Sequence, residues 1–467
     1  MGHARHGPRQ GARDVPLLVL GRRAQLAPVE PHLPRDPLSR RAAPLAPPRA
    51  PTPVALEGPS EAARAEARLG LYVHVPFCAV RCSYCDFSSG SLSAAKVERY
   101  LEAMAREASL RAPLAAAHAF SSVFFGGGTP SALSARHFAR LDRLLRDAFT
   151  ILPNAEVTLE ANPETVREPL LEAWANAGVN RLSMGAQSFD PRELARLGRL
   201  HDAARPAAAV QLARAHGFER LSLDLMFGFP GHSAGTWSAT LDAALALDPG
   251  HLSAYCFIPE PGTPLGAKVR SGAARLPSAE QQADLYEMLV SRLAAAGYGA
   301  YETSNFCRPG RECRHNLVYW LRRDCLGLGP SAHGLWRGVR YGNRYGLDEW
   351  AECLAAGREC ADRETETERS RADEILMLGL RLGVGLAADD HAPEAWGTVE
   401  RRYAAAFERA LAEGRIEATS WGVRVASRHR FVADDVIAWL MAEAERGSAR
   451  SKQRAPDADL TALGVAP

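Results

Sequence analysis

The sequence predicts an α/β protein: a partial barrel of six βα units, followed by a smaller, mostly helical, winged-helix-like domain. Three observations predict it. Between about 68 and 265, short β-rich runs alternate with helix-period segments, the pattern of βαβ units on a parallel sheet. Every unusual loop follows one of those runs, so all fall on one rim, at the C-terminal ends of the strands. Six units are too few to close an eight-unit barrel but suffice for a curved, open one.

The strands expected, in order, are "LYVHV" (71–75), "SVFF" (122–125), "EVTLEA" (156–161), "RLSMGA" (181–186), "RLSLDLMF" (220–227) and "HLSAYCF" (251–257). Segments such as "AAKVERYLEAMAREASL" and "ARHFARLDRLLRDAF" place apolar residues at helical period between them. The cysteine-bearing loop follows the first strand, "GGGTPS" the second, "NPET" the third and "FGFPG" the fifth. The domains expected are a disordered tail at 1–65, the barrel at 66–265, a mixed α/β extension at 266–365, a helical domain at 366–445 and a second disordered tail at 446–467. Residues 1–60 hold 12 of the 31 prolines and nine Arg against four acids, a composition that cannot bury enough apolar surface to fold. The stretch "GRIEATSWGVRVASRHRFVADDVIAWLM" reads as strand, turn, strand, helix.

Composition narrows the function. Apolar residues make up 46% of the 467 and charged residues 24%, ordinary for a soluble globular protein. No apolar run approaches the roughly 18 residues of a membrane-spanning helix. Beyond residue 60 the chain holds 47 bases against 50 acids, and that mildly acidic balance does not ask for nucleic acid. Nine cysteines, one tight cluster and no secretory signal pattern predict a metal site in a reducing cytoplasm.

Cys78, Cys82 and Cys85 form a C-x3-C-x2-C run. Thiolates bind soft metals, and three on one short loop can wrap one face of a small cluster. Structural zinc takes four ligands, often as separated C-x2-C pairs; a 4Fe–4S cubane held by three thiolates leaves one iron open. The spacing favours the cubane, with zinc as the alternative. His74 lies inside the first expected strand, as a core residue or a support to the loop.

A C-x3-C-x2-C run after a first strand, with Tyr84 just before the last cysteine, resembles the radical SAM superfamily. The preceding "YVHVPFC" narrows the resemblance to the branch of oxygen-independent coproporphyrinogen III oxidase (HemN) and the HemW-type haem chaperones. It covers residues from about 70 to 440. It implies a 4Fe–4S cluster on Cys78, Cys82 and Cys85, with S-adenosylmethionine (SAM) chelated to the open iron. Gly127, Gly128 and Thr129 of the glycine run resemble the segment that meets the SAM amino group. Glu160, Gln187, Arg199 and Asp224, polar residues at successive strand ends, resemble SAM contacts, as do Tyr72 and Tyr84. Taken singly, each is an ordinary strand-end polar group or a turn.

The oxidase branch carries a further cysteine, in a C-x3-C-x2-C-x-C pattern; this chain has Phe87 there, like the HemW type. "RHNLVYW", residues 314–320, resembles that type's H-N-x-x-Y-W motif, which is associated with haem. It implies haem contact at His315, Tyr319 and Trp320, with His333 as a weaker candidate. The resemblance therefore implies a haem chaperone that binds haem and passes it to an acceptor protein, with a flavodoxin- or ferredoxin-like electron donor; the alternative is coproporphyrinogen III dehydrogenase. The other six cysteines show no ligand spacing and read as small apolar residues.

Overall fold

The computed structural model describes residues 58–454, apart from 359 and 420. All six expected strands are present: β1 (Gly70–Val75), β2 (Ala119–Gly127), β3 (Thr150–Ala161), β4 (Arg181–Gln187), β5 (Arg220–Phe227) and β6 (Gly250–Cys256). They pair in sequence order, each parallel to the next. All six residues of β1 are buried, as a parallel strand covered on both faces requires.

The extension does not stand apart from this sheet. Strand β7 (Cys325–Leu328) pairs parallel with β1 on the side away from β2, Gly70 facing Cys325 and Val73 facing Leu328. Antiparallel strands β8 (His333–Trp336), β9 (Val339–Asn343) and β10 (Ala361–Thr365) continue outward from it. Beyond β6, two short antiparallel strands at Asn305–Cys307 and Gly299–Ala300 complete a twelve-stranded open sheet. The residues after the sixth unit thus extend the curved wall at both edges, which the periodicity of 266–365 did not reveal.

Helices cover the outer face and join successive strands. Helix α2 (Ala94–Ala115) and α3 (Ala135–Ala148) start at Ser93 and Ser134, whose hydroxyls accept from the Lys96 and His137 N–H groups. Phe138, Leu141 and Leu145 recur at helical period on α3 and are buried. Trp174, Trp237 and Trp350 fill the main core with no exposed surface. A second core, built from Ile375, Leu376, Val399, Tyr403, Ile437 and Leu440 among others, lies in the C-terminal part. There α12 (Glu368–Gly379), α13 (Pro393–Ala412) and α14 (Ala433–Arg454) pack with a three-stranded antiparallel sheet.

Two expected tail boundaries are corrected. The N-terminal tail was expected to run to 65, but α1 (Glu61–Glu66) is folded, capped by Ser60. The Arg64 guanidinium makes two bonds to the Asp390 carboxylate, at 3.0 and 3.2 Å, and lies 4.7 Å over the Trp421 ring. The Ser60 N–H donates to Glu312, and Glu66 pairs with Arg314. Helix α1 therefore clasps the C-terminal domain to the segment that leads into the H-N-x-x-Y-W motif. The second tail was expected from 446, but α14 continues to 454. Residues 1–57 and 455–467 of the expected tails lie outside the described residues.

Removing one partner of a buried, hydrogen-bonded ion pair strands the other. Arg64→Ala is expected to lower unfolding free energy by on the order of 3 kcal/mol, and Asp390→Ala by a similar amount. The double variant is expected to fall little further in chemical denaturation; additive losses would separate the two residues.

Candidate functional site

The cysteine loop leaves the end of β1 and is tied down by four different elements. His74, near the end of β1, is buried. Its Nε2 lies 2.9 Å from the Ser88 carbonyl and its Nδ1 3.1 Å from the Tyr72 hydroxyl. A carbonyl only accepts, so Nε2 carries the proton and Nδ1 accepts from Tyr72. Burial lowers this imidazole to about 4, keeping it neutral. His74 thus clamps the returning limb of the loop to the strand.

On the opposite limb, Cys78 Sγ and Thr129 Oγ1 are 3.3 Å apart. Ser83 N–H donates to the Leu197 carbonyl, and the Ser83 carbonyl accepts from Leu265 N–H, the latter on α8 (Pro264–Arg270). The Arg199 guanidinium donates to Cys82 Sγ at 3.4 Å, to Asn162 Oδ1 at 2.7 Å and to the Gly185 carbonyl at 2.8 Å. Its Nε is buried with no partner. Burial pushes the Cys85 thiol up to about 12, so this sulfur ionises only against a compensating positive charge. Tyr84 turns into an apolar patch with Leu197, Phe257 and Leu265.

The glycine run is where two strands close on one another. A side chain on Gly127 (φ 112°) would sit 2.6 Å from the His74 ring, and one on Gly128 would meet the Phe77 backbone at 2.7 Å. These glycines let β2 and its loop press against β1 and the first cysteine. Gly127 N–H also donates to Glu160 Oε2 at 3.0 Å. Asp224 accepts from Ser183 Oγ at 3.0 and 3.1 Å. Burial, with Asp224 nearby, pushes Glu160 up to about 8, and burial raises Asp224 too. Two half-buried acids in one mouth suit a ligand that brings a positive charge or hydroxyl donors. Gln187 closes β4 at φ 64°, beside a break in register, a conformation rare for a side-chain-bearing residue.

Thr129, Arg199, Cys82 and Asn162 line one small pocket of about 40 Å³, whose outer wall is Val80 and Leu200. That is room for about one or two waters. Asn162, absent from the sequence-based candidates, bridges Arg199 to Thr129; only its place just past β3 hinted at a role. Tyr72 lies beside Glu160, the two side chains flanking Gly126. Its ring is buried, 6.3 Å from that of Phe124, with its edge against Gly126.

The H-N-x-x-Y-W motif forms α10 (Arg314–Trp320) at the other end of the barrel. His315 has no exposed surface. Its Nδ1 lies 2.9 Å from Ser122 Oγ and its Nε2 2.9 Å from the Tyr319 hydroxyl. Its ring stacks 5.1 Å from Phe124, and its N–H donates to Glu156. Burial lowers it to about 3. Asn316 donates to the Tyr301 hydroxyl, and Trp320 is buried beneath Arg381. Both ring nitrogens of His315 are engaged, and Tyr319 and Trp320 face different neighbours. His333, at the start of β8, lies against Gly342 of β9.

Three cysteines, one guanidinium and two acids therefore meet at the strand ends. Structural zinc takes four protein ligands, and this loop offers three cysteines. A cubane takes each thiolate on a different iron, so the donor set fits that group.

The description of the Radical SAM superfamily matches residues 72–244. The chain is 39% identical over 382 residues to the haem chaperone HemW of Mycobacterium tuberculosis H37Rv, covering 80% of this chain and 94% of that one. It is 31% identical over 377 residues to HemW of Bacillus subtilis, covering 80% and 99%. The solved structure of Escherichia coli coproporphyrinogen III oxidase (HemN) superposes with a TM-score of 0.71 at 24% identity, covering 82% of this chain and 92% of that one; at that identity the likeness speaks to fold.

Two outcomes follow. His74→Ala is expected to lower iron and sulfide content after anaerobic reconstitution, because Ser88 loses its donor, while His74→Gln retains more; equal loading of all three proteins would remove the clamp. Glu160 is held neutral, so its contribution to stability is complete below its ordinary 4.5 and is lost as pH rises through about 8. Glu160→Gln should match wild type in melting temperature at pH 5 and exceed it at pH 9.

Proposed function

The chain belongs to the HemW-type branch of the radical SAM superfamily, and on that premise we propose that it is a haem chaperone. It binds haem and hands it to an acceptor protein, using a 4Fe–4S cluster and SAM as resident cofactors. The observation that carries this reading is similarity along nearly the whole length of proteins named haem chaperones, 94% and 99% of two of them. The loop chemistry supports it: three cysteines, with Phe87 where a further cysteine marks the oxidase pattern.

Cys78, Cys82 and Cys85 would hold the cluster, with Arg199 offsetting negative charge at Cys82. A cubane with one iron free of protein ligands supplies a site for the amino and carboxylate groups of SAM and an electron for its sulfonium. Arg199, with an unused Nε–H, suits a carboxylate. Glu160 and Asp224 suit an ammonium or ribose hydroxyls, and Gln187, Gly127, Gly128, Thr129, Tyr72 and Tyr84 complete the set that the family implies. With about 40 Å³ between Val80 and Leu200, an adenosyl group enters only as those side chains move outward.

The electron comes from a flavodoxin- or ferredoxin-like donor in this reading. No helix among the described residues is long and apolar enough to cross a membrane, and nine free cysteines fit the reducing cytoplasm.

Anaerobically reconstituted protein is expected to retain haem stoichiometrically and to leave coproporphyrinogen III unchanged. Conversion to protoporphyrinogen IX would make it a dehydrogenase. Cys82→Ala should lose the broad absorbance near 400 nm that marks the cluster.

A further inference from the structure

We infer that Nε2 of His315 is the nitrogen that takes the cargo's iron, with Ser122 fixing it in that role. The Tyr319 hydroxyl is a cap that stands on the same lone pair until the cargo displaces it. The inference rests on the haem-chaperone reading and deepens it, naming the atom that serves and the group that guards it.

The hydrogen bonds around the ring decide its tautomer. The Cys325 thiol donates to the Tyr319 oxygen at 3.8 Å. Desolvation holds the Tyr319 phenol well above its usual range, so it keeps its proton, and His315 Nε2 lies 2.9 Å away to receive it. Nε2 then accepts, and Nδ1 carries the ring proton and donates to Ser122 Oγ at 2.9 Å. The reverse tautomer would turn an N–H on the oxygen that Cys325 already serves and leave the phenol proton without an acceptor among these contacts. A neutral imidazole with Nδ1–H anchored and a lone pair on Nε2 is the form that ligates iron. The anchor also makes the ligating nitrogen more basic.

The imidazole is held on its other sides. Phe124 stacks on it at 5.1 Å with the planes 25° apart, and Tyr72 lies 6.5 Å away at 30°. Its Cε1 meets β1 so closely that a side chain on Gly70 would sit 3.0 Å from it. Tyr319 stands edge-on, 5.0 Å off with the planes at 89°, and reaches Nε2 through its hydroxyl. Ser122 and His315 have no exposed surface, whereas Tyr319 is half-buried. The phenol is therefore the outermost member of the series Ser122, His315, Tyr319, and turning it aside opens the lone pair without moving the ring. Asn316 and Tyr319, three apart on one face of α10, are both half-buried, so the cargo approaches over that face. In the exchange the Fe–Nε2 bond forms and the Tyr319 O–H to Nε2 hydrogen bond breaks. Tyr319 keeps its proton, and no electron moves.

The test titrates full-length, anaerobically reconstituted protein with haemin and with metal-free protoporphyrin IX. It also reads the iron–histidine stretch of the reduced haem complex by resonance Raman. Ser122→Ala should weaken haemin roughly ten-fold, as loss of an anchor on a ligating histidine does, and lower the frequency of that stretch. Ser122→Thr, which keeps the hydroxyl, should restore both. Tyr319→Phe should tighten haemin roughly five-fold, the worth of one hydrogen bond no longer broken, with the stretch unchanged. His315→Ala should lose the stretch. Metal-free protoporphyrin offers no iron and should bind wild type, Ser122→Ala and Tyr319→Phe within about two-fold of one another. Should Ser122→Ala fail to fold, Ser122→Cys, close in size and a weaker acceptor, takes its place.

Equal losses of haemin and metal-free protoporphyrin in the Ser122 variant, or a stretch that does not move, would make Ser122 a packing residue and overturn the inference. Tyr319→Phe binding haemin no tighter than wild type would also overturn it, since the phenol would then be no cap. A stretch that survives in His315→Ala would overturn it while keeping the chaperone reading. Wild-type protein that binds neither porphyrin would overturn that reading itself.

Discussion

A short loop that carries three thiols has no secondary structure of its own to satisfy its backbone, so it holds one shape only if neighbours supply the partners. Here they come from the strand before it, the loop after β2, the turn after α5 (Pro191–Leu197) and the start of α8. The contact between His74 and the glycine run matters most. Because Gly127 and Gly128 carry no side chains, β1 and β2 close to a distance that any Cβ would obstruct. That closeness puts Thr129 against Cys78 and Glu160 against the Gly127 N–H.

The two ends of the barrel are built by opposite rules. At the strand C-termini the half-buried Glu160 and Asp224 accept from Gly127 N–H and from Ser183, with no ion pair to either among the described residues, and Arg199 Nε has no acceptor. At the base both ring nitrogens of His315 have partners, and Glu156 serves Arg181, the His315 N–H and Cys313 together. The base is closed by its own contacts, while the buried Arg199 Nε at the strand ends keeps a donor without a partner among the described residues.

Much of the architecture was legible in the chain. The six strand runs are all present: β1, buried along its whole length, reads as a nearly continuous apolar segment, and β5 reads as alternating polar and apolar residues. The cysteine spacing and the strand-end acids and arginine were legible because such residue types have few structural reasons to sit there. Strand β7 was not, since "CLGL" is four residues long and its partner lies more than 250 positions earlier. Nor was the burial of the H-N-x-x-Y-W helix: a sequence shows which residues are aromatic, not which way a short helix is turned. Helix α1 escaped notice because "EAARAE" has no apolar face, and its anchorage depends on one arginine reaching Asp390.

The pairing of Gly70 with Cys325 also has a meaning for synthesis. The strand that launches the thiol loop stands mid-sheet, yet one of its two neighbours leaves the ribosome only after most of the polypeptide has been made. At roughly 5–20 residues per second, that interval lasts on the order of tens of seconds, during which the nascent cysteines face solvent on an unfinished scaffold. The cysteine loop therefore gains its complete framework only after the far wall has been synthesised.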